Sequence, residues 1–129
     1  NSLVTPSIAL PAGSTPAVLR FRHTLNFETP NWDGGVLDVS VNGGAYSDII
    51  TAGGSFQSGG YNGTVATGFA NPLAGQPAWT GLQSAYGNVA VQLPVSFNGN
   101  NIRFRFRGGW DNSTTTAGAN WRIDGLSLQ

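Results

Sequence analysis

The chain has six acids, Glu28, Asp33, Asp38, Asp48, Asp111 and Asp124, and six arginines. It has no lysine, no cysteine and one histidine, His23. A thiolate nucleophile and a thiolate metal site are therefore excluded. A serine-type triad would have to use His23, and no G-x-S-x-G elbow is present. No two glycines stand as G-x-G, so the dinucleotide and P-loop fingerprints are both missing. Two of the carboxylates could serve a glycosidase. Four of them, Glu28, Asp33, Asp111 and Asp124, fall at or near strand ends. If the strands 17–28 and 102–109 finish on one rim, these four converge. Like charges that close call for a cation, and an all-oxygen ligand set suits calcium. The plainer alternative has the same acids capping turns and pairing with arginines.

Arg103, Arg105 and Arg107 alternate along one strand, and Arg20 and Arg22 along another. Guanidinium forks match carboxylates, so Arg103 and Arg105 are candidates for binding acidic sugars. The competing reading is a cross-strand ladder with Asp38 and Asp48. Exposed rings bind sugars by stacking, which makes Trp32 and Trp110, in loops beside the acids, candidates for a platform. Trp79 and Trp121 read as core residues. His23 lies on the apolar parity of its strand and reads as a hydrogen-bonded structural histidine.

Period-two alternation positions these residues. It marks a strand over 17–28, with Leu19, Phe21, His23, Leu25 and Phe27 inward, and another over 36–41, with Leu37, Val39 and Val41 inward. Asn42-Gly43-Gly44 is a hairpin signal leading to 45–50. Further strands fall at 88–93, 102–107 and 120–128, the last with a glycine bulge at Asp124-Gly125. Residues 51–86 hold eight glycines and no sustained period, and read as one long Gly-rich loop packed down by its aromatics. Pro6, Pro11 and Pro16 make 1–16 an extended N-terminal arm or edge strand. The expected fold is all-β, a jelly-roll β-sandwich of two antiparallel sheets, as one domain over 1–129.

Only 9% of the residues are charged and the net charge is zero, where a typical soluble domain has about 25%. No basic surplus exists for nucleic acid or an anionic membrane. No apolar run approaches the length that spans a bilayer. Neutral polar residues and glycine carry solubility, a composition that fits secreted bacterial proteins. The opening Asn1, with no signal-peptide pattern, reads as a processed piece or an excised domain.

Six stretches together resemble a bacterial family of secreted MAM-like jelly-roll accessory domains. They are LRFRHTLNFE (19–28), DGGVLDVSVNGGAYSDI (33–49), GGYNGTV (59–65), NPLAGQPAWTG (71–81), NIRFRFRGGWD (101–111) and WRIDGLSL (121–128). Similar domains occur at the C-terminal end of immune-inhibitor-A-type metallopeptidases. The resemblance implies a jelly roll without an active site of its own. It also implies calcium ligands at the positions of Glu28, Asp33, Asp111 and Asp124. The function expected is a non-catalytic accessory domain of an exported protein, extracellular or at the cell surface. It would be stabilised by calcium and would bind a polysaccharide or position a neighbouring domain. The alternative is a purely structural adhesion or spacer domain, and a glycosidase is a third reading.

Overall fold

The computed structural model describes residues 2–110 and 120–129. The protein is all-β, with eleven strands among the described residues. These are β1 (Ser2–Val4), β2 (Ile8–Ala9), β3 (Val18–Asn26), β4 (Gly34–Val41), β5 (Ser47–Asp48) and β6 (Ser55–Ser58), then β7 (Gly63–Thr64), β8 (Pro77–Ala78), β9 (Leu82–Gln92), β10 (Asn101–Gly109) and β11 (Asn120–Leu128). Two antiparallel sheets carry the fold. One runs β1-β10-β4-β5, with β2 on the same edge of β10 as β1, and the other runs β11-β3-β9-β6.

The alternation read from the sequence sets the core. Leu19, Phe21, His23 and Leu25 of β3 are buried, as are Val89 and Val91 of β9 and Ile102, Phe104 and Phe106 of β10. The sheets meet where the Phe21 and Phe106 rings stand edge to face, 5.1 Å apart. Each such side chain taken from water contributes roughly 1.5–3 kcal/mol. Trp79 is the hub. It is 2% exposed, and its ring lies within 6 Å of Phe21, His23, Phe56, Tyr61 and Trp121. Its indole Nε1 donates to the Gly59 carbonyl at 2.8 Å.

Segment 51–86 is more ordered than its glycines suggest. β6 closes the second sheet, β7 and β8 form a small hairpin, and β9 starts at Leu82, six residues ahead of the predicted start. Val65, Leu73 and Ala78 from this segment cover Val36 on the outer side of β4 and make a second small core. β4 is therefore buried on both faces over nearly its whole length. It also begins earlier than predicted, because Gly34 and Gly35 enter the ladder instead of a turn. The Trp121 ring lies against Gly35, where a Cβ would come within 2.7 Å of it. The predicted arm is an edge: β1 and β2 pair with β10. The predicted bulge in β11 is present between Asp124 and Ser127, with Gly125 at φ +66°.

Candidate functional site

Glu28 and Asp33 flank the turn that leads from β3 to β4. Asp33 is 1% exposed. Gly109 pairs with Gly34, so β10 ends beside Asp33 on the rim anticipated from the sequence. Asp111 follows two residues later and lies outside the described residues. Asp124 does not share the rim. It pairs with Arg22, four residues before β3 ends at Asn26, so it stands roughly 13 Å back from that rim at the strand rise. There its Oδ2 accepts from Arg22 Nη2 at 2.6 Å and Nε at 3.1 Å. The hydrogen bond from Arg22, then that from the Gly125 N–H, hold the Asp124 carboxyl below its ordinary range. Among the described residues no three acidic or histidine side chains form a metal-binding group. Glu28 and Asp33 nonetheless offer hard oxygen donors, Asp33 inside the protein, a chemistry compatible with calcium.

The same turn carries Trp32, whose ring is partly buried and 6.1 Å from that of Phe69. Phe69 is 40% exposed. Two asparagines stitch the two loops together. Asn71 Nδ2 donates to the Trp32 carbonyl at 2.8 Å, and Asn31 Nδ2 donates to the Thr64 carbonyl at 2.7 Å. Trp110 is placed differently. Its ring lies over Gly108 and 6.3 Å from Phe27, in the wall of a cavity of about 490 Å3 between the sheet edges.

On the outer face of the first sheet, Arg105 is taken up by structure. Its Nε and Nη2 donate to Asp38 Oδ2 at 2.9 and 2.7 Å, and Arg107 Nε donates to the same oxygen at 3.0 Å. The Arg105 guanidinium also lies 4.3 Å from the centroid of Tyr46. Asp38 is 1% exposed, so this is a buried carboxylate balanced by two partly exposed cations. Arg103 stands opposite Ser40 and is exposed. Nearby, Tyr61 donates to Asp48 Oδ2 at 2.7 Å and accepts from the Leu37 N–H at 2.9 Å. Burial, and then the Asp48 charge, push the Tyr61 phenol far above its ordinary range.

His23 is 2% exposed, and burial pulls its pKa down to about 4. The Trp121 indole donates to its Nδ1 at 3.1 Å. The imidazole is therefore neutral at pH 7, with its proton on Nε2. It is a packed structural group, as its place in the alternation suggested.

The outer face of the second sheet combines residues the sequence showed with one it hid. Arg20 and Arg22 of β3 point outward there, beside Arg122 of β11 and an exposed Tyr86 on β9. The arginines were legible from alternation. Tyr86 was not, because LQSAYG breaks the period-two pattern and reads as loop.

Comparison with protein-family models, with curated proteins and with solved structures finds no match to this chain.

Proposed function

We propose that this chain is a non-catalytic accessory module of an exported protein, a MAM-like jelly roll that binds carbohydrate at the rim bearing Trp32. The observation that carries the reading is the Trp32–Phe69 ring pair, 6.1 Å apart on two loops joined by Asn71 and Asn31. A sugar presents a flat apolar face, and such a face stacks on rings held in place in advance. Loop freedom already removed by the two asparagines, which bind the backbone carbonyls of Trp32 and Thr64, is not lost again on binding. Calcium belongs to the same reading. Glu28 and Asp33 would hold it, with Asp111 from the segment that follows β10. Asp124 is left out of that set by its position opposite Arg22. An ion that binds only the folded state adds RT ln(1 + [L]/Kd), about 2.7 kcal/mol at a hundredfold excess over Kd.

One observation favours the alternative of an adhesion or spacer domain. Trp79 is buried at the centre of the core, and Trp110 and Trp121 pack against it or line its walls. Retention on a panel of soluble and insoluble polysaccharides separates the two. The binding reading expects retention on one neutral polymer class, its loss in Trp32→Ala, and a melting temperature that falls when calcium is chelated. Retention on none of them would move the assignment to the spacer. A melting curve indifferent to chelator would remove the calcium.

A further inference from the structure

We propose that the outer face of the β11-β3-β9-β6 sheet is a second binding face, separate from the rim, and that it takes a uronate-bearing polysaccharide. Charge is the first ground. Arg20, Arg22 and Arg122 stand on its described strands, and Asp124 is the one acid among them. Asp124 is held by Arg22, and no other carboxylate among the described residues lies within ion-pair reach of Arg20 or Arg122. The molecule is neutral as a whole, but its charge is unevenly placed. The opposite sheet sets Asp38 and Asp48 against Arg103, Arg105 and Arg107, an excess of one, and this face sets Asp124 against Arg20, Arg22 and Arg122, an excess of two.

The second ground is the bulge in β9. Between the pairings His23–Gly87 and Leu25–Gln83, β9 has Ser84, Ala85 and Tyr86 where β3 has only Thr24. The Gln83 side chain folds into the gap and donates from Nε2 to the His23 carbonyl at 3.0 Å. Gly87 leaves room for it, since a Cβ there would come within 2.6 Å of that nitrogen. Bulges of this kind re-aim a side chain at the cost of ladder hydrogen bonds. Here the side chain thrown outward is Tyr86, 47% exposed, with the Arg22 guanidinium 4.9 Å from its ring centroid. Arg22 is thus fixed by Asp124 on one side and the ring on the other.

The third ground is shape. A depression of about 320 Å3 bounded by Arg20, Ser58 and Asn88 lies on one side of the Arg22–Tyr86 stack. Another of about 240 Å3, bounded by Thr24, Gln83 and Arg122, lies on the other. From strand rise and spacing, Arg20 and Arg122 stand roughly 14 Å apart. A linear chain crossing the face would meet one guanidinium in each depression, with a ring to stack on between them. Guanidinium forks pair with carboxylates in planar bidentate fashion, and a pyranose lies flat on a tyrosine. A polymer carrying carboxylates at intervals along stacking rings satisfies both. A phosphodiester chain fits less well, because its binding draws on a larger basic surplus than three arginines.

Affinity electrophoresis of the whole chain through hyaluronate gels tests this, with dextran gels as the uncharged reference. Hyaluronate should retard the protein, dextran should not, and added salt should weaken the retardation. Arg20→Ala/Arg122→Ala should bind at least about tenfold more weakly, from the loss of two charge-assisted contacts. Tyr86→Ala should also bind more weakly, and Arg20→Lys/Arg122→Lys should recover only part of the affinity. Trp32→Ala should bind hyaluronate like the wild type, which separates this face from the rim. Thermal melts confirm that the variants are folded, and both arginines are exposed. No retardation by hyaluronate, equal retardation by dextran, an unaffected double alanine variant, or single-stranded DNA bound as tightly would each overturn the proposal. Loss of hyaluronate binding in Trp32→Ala alone would move the ligand to the rim, ending this proposal and leaving the rim reading intact.

Discussion

At the scale of single residues, burial decides what each titratable group can do. His23 touches the rings of Phe21, Trp79 and Trp121 and has its Nδ1 occupied by the Trp121 indole. Protonation would turn that acceptor into a donor facing another donor. The folded pKa of about 4 lies below the ordinary 6.5, so between those values the unfolded chain holds the extra proton. The stability associated with neutral His23 is complete above pH 6.5. It is lost as the pH falls towards 4, and amounts to at most about 3 kcal/mol. Gln at this position keeps an acceptor for Trp121 but does not titrate. Urea unfolding midpoints at pH 7 and pH 4.5 should therefore separate more in the wild type than in His23→Gln. Equal separations would mean that His23 does not drive the acid sensitivity. That His23 faces inward was legible from parity alone. Its partner was not, because Trp121 is 98 residues away and no local pattern links the two strands.

At the scale of elements, β4 shows what a sequence can and cannot state. Its inward residues, Leu37 and Val39, follow from alternation. Its outward residues, Val36, Asp38 and Ser40, should by the same logic meet water, yet all three are buried. The cover comes from side chains distant in sequence, Val65, Leu73 and Ala78 over Val36 and Arg105 with Arg107 over Asp38. The edge of β4 is completed in pieces. β5 pairs at Asp38 and Val39, Trp79 bridges at Gly35, and between them Tyr61 supplies its hydroxyl to the Leu37 N–H. Tyr61 thus continues a ladder with a side chain. Tyr61→Phe should lower stability by about 1–3 kcal/mol, because it leaves the Leu37 N–H and Asp48 Oδ2 each short of a partner in a largely enclosed place. Denaturant titration measures the loss, and an unchanged midpoint would mean that water replaces the hydroxyl freely. The β9 bulge was hidden for a related reason. Extra residues in one strand erase period two, and only the partner strand reveals them as strand at all.

At the scale of the whole molecule, the N-terminal arm closes the exposed side of β10. Leu3 and Ile8 pair with Phe106 and Ile102, with Pro6 between the two short strands where no donor is required. Thr5 bridges the interruption: its N–H donates to the Phe104 carbonyl at 2.9 Å, and its hydroxyl accepts from the Phe104 N–H at 3.0 Å. Leu10 then enters the core at 6% exposure, and its carbonyl accepts from the Gly99 N–H. The spacing of three prolines was enough to predict an edge, but not that the edge seals a core strand. Removing residues 1–10 would uncover the β10 ladder beside Phe104 and Phe106 and leave a cavity where Leu10 sat. The cavity alone costs about 2–5 kcal/mol on the scale of leucine truncations. An open ladder next to a hydrophobic layer invites a second chain to pair with it. The truncated protein should therefore melt earlier and elute from size-exclusion columns as a concentration-dependent mixture of monomer and larger species, where the full chain does not change with concentration. A truncated protein that stays monomeric and melts with the full chain would show that the arm decorates β10 without sealing it. The inward row of β10, Ile102, Phe104 and Phe106, would then be held by the opposing sheet alone.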